Sequence, residues 1–224
     1  MPETASPNNS QTPVVYRNNP FDRVCIWLFS RKMAQAVGKK RTRSGYDGFV
    51  ELSMQIMRGR SAAEQQQLVA VVLQSLVPAQ VLWLIRHLFS PTRLVCELNA
   101  WFATVLFEWL VGPCRVTEVE VPDETGQTRK QNSGVHIEKC RYLEQSRCVG
   151  LCVNLCKQPT QQFFTEKFGI PLTMIPNFED FSCEMVFGQP PPPLETEEAS
   201  RQPCLADQCS MARSDAEVCP KLPD

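Results

Sequence analysis

VTEVEVPDETGQTRKQNSGVHIEK, residues 116–139, is where the periodicity of this chain changes. VTEVEV and GVHIEK each alternate apolar and polar positions, the signature of a half-buried strand. The turn-rich DETGQTRKQNSG between them reads as a long hairpin loop joining two antiparallel strands.

Upstream of this stretch the signals are helical. Asn19 followed by Pro20 fits an N-cap with proline at the first helical position, and the apolar-rich FDRVCIWLFSRKMAQAV then runs to Gly38. Ser61 and Glu64 form a capping box ahead of LVAVVLQSLV. Pro78 restarts a helix through VLWLIRHLF, and Ser90-Pro91 opens another that ends near Gly112-Pro113. Four or five helices are expected. Downstream, LTMIPNFEDFSCEMVF reads as a second strand pair, and residues 143 to 168 as a helix that Pro159 breaks or restarts.

The fold class is therefore α+β: a mainly helical N-terminal two thirds, then a small antiparallel sheet and a cysteine-rich helix. Residues 1–19 read as a disordered arm, 20–189 as one domain, and 190–224, opening on PPPP, as a stiff exit and a cysteine-containing tail.

Composition narrows the function classes. Twenty-three basic residues stand against 24 acidic ones in 224, so no footprint for nucleic acid appears. Residues 65 to 85 carry no charge, but three glutamines and Pro78 leave too little continuous apolar length for a transmembrane helix. The first 19 residues have neither a signal-peptide core nor an arginine-rich transit character, so a reducing interior is expected to keep the cysteines as thiols.

Those cysteines are the outlier: 11 in all, eight of them from Cys140 onward. Cys148, Cys152 and Cys156 recur every fourth residue, which on a helix makes one stripe, with Gly150 leaving room beside it. Cys140 precedes that helix and Cys183 lies in the later strand region. A single buried cysteine is usually a small hydrophobe in a core. Five of them in this pattern point instead to a metal. Thiolates suit zinc or an iron–sulfur centre, the spacing chooses neither, and it is one residue off the C-x3-C-x2-C of radical enzymes that use S-adenosylmethionine. His87 and His136, the two histidines, read as structural residues.

Five segments carry a resemblance: FEWLVGPC (107–114), KCRYLEQSRCVGLCVNLCKQPTQQFF (139–164), GIPL (169–172), PNFEDFSCEMVFGQPPP (176–192) and QPC (202–204). Together, and with a looser match at NPFDRVCIWLFSRKMAQ, they resemble the iron-containing beta-carotene isomerases of strigolactone biosynthesis over about residues 16–209. The resemblance implies cis/trans isomerisation of all-trans-beta-carotene to its 9-cis form. It implies iron, as a mononuclear ion or an iron–sulfur cluster, held by Cys148, Cys152 and Cys156 with Cys140 or Cys183 completing the set. The alternative class is a non-enzymatic zinc or iron–sulfur redox or interaction protein, which would keep the cysteines and lack a carotenoid pocket. A hydrocarbon substrate also implies an apolar tunnel, lined by the helices containing LVAVVLQSLV, VLWLIRHLF and LNAWFATVLFEWLV, and peripheral contact with a membrane. The expected location is cytoplasmic or peripheral to a photosynthetic membrane, plastid stroma in a eukaryote. VCIWLF followed by Arg31, Lys32, Lys39, Lys40, Arg41 and Arg43 reads either as that interfacial segment or as a helix end with favourable cations and a solvated loop.

Overall fold

The computed structural model describes residues 16–88, 90–122, 126–205, 219 and 221–222. Helix α1 (Pro20–Val37) begins at Asn19, whose side chain accepts from the Asp22 N–H while the Asp22 carboxylate accepts from the Asn19 N–H. It ends at Gly38, whose φ of 70° is the left-handed conformation that closes a helix at little cost for glycine. Helix α2 (Gly45–Met57) follows, then α3 (Ala62–Leu76) behind the Ser61–Glu64 capping box, α4 (Ala79–Leu88) after Pro78, α5 (Arg93–Leu106) and the short α6 (Glu108–Val111). The helix after Ser90-Pro91 is capped by the Thr92 hydroxyl, which accepts from the Val95 N–H.

Two details differ from the sequence reading. Helix α2 exceeds the four or five helices expected, because the two glycines of GYDG look like a turn. The hairpin loop is short: β1 (Cys114–Pro122) and β2 (Thr128–Ile137) stay paired out to Pro122 opposite Thr128. The polar residues of TRKQNS are strand residues, exposed on one side.

Strands β3 (Leu172–Pro176) and β4 (Cys183–Phe187) form the expected second pair, and the antiparallel sheet runs β1-β2-β4-β3. Helix α5 lies across β1, β2 and β4. Between the strand pairs come α7 (Arg141–Ser146), a left-handed residue at Arg147, and a helical run whose middle is π-helical at Leu151–Lys157, α-helical in α8 (Gln158–Phe163), and π-helical again at Phe164–Phe168. Pro159 does not break this run. It sits in the first turn of α8, where a missing backbone N–H is tolerated.

One core joins helices and sheet. Its aromatic part stacks Phe29 on Trp109 at 4.9 Å, with Phe49 packed against Trp109 and Tyr142 at 5.6 and 5.7 Å. Both described ends of the chain fasten to it. Tyr16 donates to the Glu144 carboxylate at 2.7 Å, and Asn18 accepts from the Arg141 guanidinium at 2.6 Å. At the other end the Cys219 N–H bonds to the Gln202 carbonyl, and the Lys221 carbonyl accepts from Asn154. No single helix among the described residues is long and apolar enough to cross a membrane; α3 and α4 reach that length only together, and they are bent by 86°.

Candidate functional site

The cysteine comb starts just before the π-helical stretch. Cys148 and Cys152 are buried, and Cys156 is half-buried. Widened π turns inside a helix are rare and recur at functional sites. The room that Gly150 provides is filled by the protein itself, since a Cβ there would lie 2.7 Å from the Met57 Cε and 3.1 Å from Lys221.

Four of the five expected cysteines form one electrostatic neighbourhood. Burial pushes the Cys152 thiol well above its ordinary range, and the neighbouring Cys156, Cys183 and Cys140 push it further. Cys183 rises well up for the same reason, with Cys140 and Cys156 as its neighbours. Burial raises Cys140, and it raises Cys156 to about 12, with Cys140 adding to the latter. Three different elements bring these residues together: Cys140 caps α7, Cys152 and Cys156 lie in the π stretch, and Cys183 opens β4. Cys148 is placed along the comb beside Tyr142, whose phenol is raised first by burial and then by the neighbouring Cys156, Cys148 and Cys152. Burial thus favours the protonated thiol at Cys140, Cys152, Cys156 and Cys183.

Lys157 was not among the expected site residues, and it is fully buried. Its ammonium bonds to Gln161 Oε1 at 2.8 Å and the Met174 carbonyl at 2.7 Å, and pairs with the Glu197 carboxylate at 2.6 Å. It lowers the proton affinity of Cys152 and Cys183 against the dominant effect of burial. Nothing in CVNLCK announces a buried cation, because its carboxylate partner arrives from the segment beyond PPPP.

Arg141, next to Cys140, is a second buried cation. Its guanidinium lies 3.7 Å over the Tyr46 ring and 4.9 Å from that of Tyr16. The stacking and the bonds of one terminal nitrogen to Asn18 and the Trp109 carbonyl offset part of the cost of burying this cation, while its Nε is buried without a partner.

Cys156 also faces outward from the cluster, into an apolar cavity of about 720 Å³. That size lies within the range of small-molecule sites. Its walls come from α1, α3, α5 and the helical run, including Val72, Leu98, Trp101, Phe164 and Met174, with Tyr142 beside Cys156. The three helical segments expected to line a tunnel all contribute: Val69 to Val77 from the first, Ile85 from the second, and Leu98 to Leu110 from the third.

As a donor set, Cys140, Cys152, Cys156 and Cys183 have the softness that zinc or iron–sulfur chemistry takes. As the side chains stand, no three histidine, cysteine or carboxylate groups among the described residues converge as a metal site. A metal binding there would take these thiols in their deprotonated form. His136 is paired instead with Glu184 across β2 and β4, and His87 stacks on Trp83 at 4.4 Å.

The arrangement is thus a buried thiol cluster opening through one residue onto an apolar cavity. Residues 109–196, which contain all five expected cysteines, match the family described as beta-carotene isomerase D27-like, C-terminal. Over 205 residues the chain is 38% identical to the chloroplastic beta-carotene isomerase D27 of Medicago truncatula, covering 92% of this chain and 79% of that one. It is 38% identical over 187 residues to the chloroplastic beta-carotene isomerase D27 of Arabidopsis thaliana, covering 83% and 69%. No solved structure matches it. The chain belongs to the beta-carotene isomerase D27-like family.

Proposed function

We propose that this chain is a cis/trans isomerase that rotates a double bond of a carotenoid, all-trans-beta-carotene to the 9-cis form, with iron held by thiolates at the cavity wall. The observation that carries the reading is Cys156, which belongs to the thiol cluster and to the wall of the apolar cavity at once. Cys140, Cys152, Cys156 and Cys183 would hold the iron; Cys148 stands next in line along the comb. Bound there, iron would supply electron exchange or Lewis acidity, either of which lowers the order of one bond in a conjugated polyene.

The chain's own residues set the conditions for that rotation. Apolar walls take up a hydrocarbon and exclude water from it. Phe163, Phe164 and Phe168, packed on one another at 5.1 to 6.4 Å, give the polyene an aromatic face beside Cys156. Tyr142 keeps its proton, so no second anion competes beside the thiolates. Lys157 places a fixed positive charge near Cys152 and Cys183, offsetting part of the cost of burying thiolates. A carotenoid substrate would put the reaction beside a carotenoid-bearing membrane, in the plastid stroma if the chain is from a eukaryote; the two relatives are named chloroplastic.

Protein purified without air, analysed for metal and incubated with all-trans-beta-carotene tests this directly. Iron should accompany the protein and the 9-cis isomer should form; stoichiometric zinc after anaerobic reconstitution, with no isomer produced, would sink the proposal. Cys152→Ser should lose most of both while the helical circular dichroism persists. If Cys152 only packs, the serine costs about 1–3 kcal/mol of stability and leaves metal and turnover unchanged.

A further inference from the structure

The cavity is bordered by three helices whose outer faces are as apolar as its walls. Helix α4 has no buried residue at all, yet it carries Val81, Trp83, Leu84 and Leu88, with Trp83 61% and Leu88 65% exposed. On α5 the inward positions are Cys96, Ala100 and Ala103, while Leu94, Leu98, Trp101, Phe102 and Val105 form an exposed stripe at helical spacing. Phe21, Val24 and Trp27 do the same on α1. Leu28, Ile85 and the exposed Leu98, Trp101 and Phe102 line the cavity, so on α5 the apolar surface runs from outside to inside, with Asn99 as the polar residue of α5 in the lining.

Exposed apolar stripes on three helices that border one cavity mark a binding surface. Its charge identifies the occupant. The basic residues of α1, α4 and α5 are Arg23, Arg31, Lys32, Arg86 and Arg93; the acidic ones are Asp22, buried in its cap, and Glu97, tied to Arg93 at 2.9 Å. Arg31 stacks over Trp27 at 5.4 Å. Two copies of such a face pressed together would set like charges against each other, whereas an anionic lipid surface meets both the apolar stripe and its cationic border.

We infer that the α1, α4 and α5 face docks this chain on an anionic bilayer, with the cavity mouth against the lipid so that a hydrocarbon passes between them without crossing water. The passage of substrate rests on the isomerase reading; the docking does not. This assigns membrane contact to helix faces around the mouth and not to the basic loop at Lys39 to Arg43.

The test is co-sedimentation of the full chain with vesicles of phosphatidylcholine alone and with added phosphatidylglycerol. Wild type should sediment with the anionic vesicles and be released by salt. The double variant Trp83→Asp, Leu94→Asp, whose side chains do not line the cavity, should reduce that binding at least tenfold. Its turnover on detergent-dispersed beta-carotene should match wild type, which separates failure of docking from failure of the isomerase reading. Unchanged vesicle binding by the double variant overturns the inference. So does loss of binding only on charge reversal at Lys39, Lys40 and Arg41, or a wild-type dimer that the double variant converts to monomers.

Discussion

Helix α4 and the π-helical stretch Leu151–Lys157 are both short and rich in apolar residues, and they meet opposite fates. In the π stretch Leu151, Cys152, Val153, Asn154, Leu155 and Lys157 are all buried, charged and amide side chains included. In α4 nothing is. Hydrophobicity alone does not separate them. What does is position: the π stretch is enclosed by α2, α3, α7 and the returning tail, whereas α4 touches mainly Phe164–Phe168 and borders the cavity. One segment is the rigid floor of the site and the other part of its rim.

The sharpest way to break the comparison is to make one substitution in both places. Val153 has no exposure and Val81 is 41% exposed. Val153→Asp should cost about 4 kcal/mol or more, enough to abolish a cooperative urea transition in a marginal domain, because an unpaired carboxylate would be buried. Val81→Asp should stay within about 0.5 kcal/mol of wild type. Similar losses at both would mean that α4 packs as a core helix.

Next in size is Lys157→Met. It strands the Glu197 carboxylate, one of whose oxygens is already buried without a partner, and should cost about 3 kcal/mol in urea denaturation. Adding Glu197→Gln should recover part of that loss. If the double variant is no better than the single, the cation's value lies in its bonds to Gln161 and Met174 instead.

A third contrast is a pH dependence to which the floor contributes, beside the Cys96 and Cys114 thiols, each raised by burial to about 11. The folded state raises Cys156 from 9.0 to about 12, chiefly through burial, so the folded chain keeps a proton that the unfolded chain gives up. Stability of the metal-free protein should hold below about pH 9 and fall as pH rises through the window toward about 12. Urea midpoints measured across that window in wild type and Cys156→Ala check it; the variant should fall less steeply. Metal loading should run the other way and strengthen with rising pH, since thiols must lose protons to bind.

Much of the fold was legible because it is written locally. The change of period after Pro113, the capping boxes at Asn19 and Ser61, and the restart at Pro78 depend on neighbours a few residues apart. Helix α2 escaped because Gly45 and Gly48 mimic a turn, while Gly45 supplies a φ of 60° at the helix start and Gly48 a close approach, where a Cβ would lie 2.3 Å from the Arg43 carbonyl oxygen. The site was legible in kind and not in membership. Four-residue spacing showed a comb, yet its Cys152–Cys156 end joins Cys140 and Cys183 only through the sheet that sets β4 beside β2. Lys157 and Glu197 are 40 residues apart in the chain and meet only when the tail returns, and no periodicity reports that. Cys209 lies outside the described residues.

The anchoring of Tyr16 and Asn18 has a consequence for maturation. Both hold Arg141, whose neighbour Cys140 belongs to the thiol cluster, and Tyr16 fills the space beside Gly112, where a Cβ would come within 2.9 Å of its ring. A protease trimming the N-terminal side would therefore meet a boundary set by the fold: cleavage before Tyr16 would leave the clasp whole, whereas cleavage after Asn18 would take from Arg141 one of its two aromatic rings, leaving that of Tyr46, together with its Asn18 acceptor.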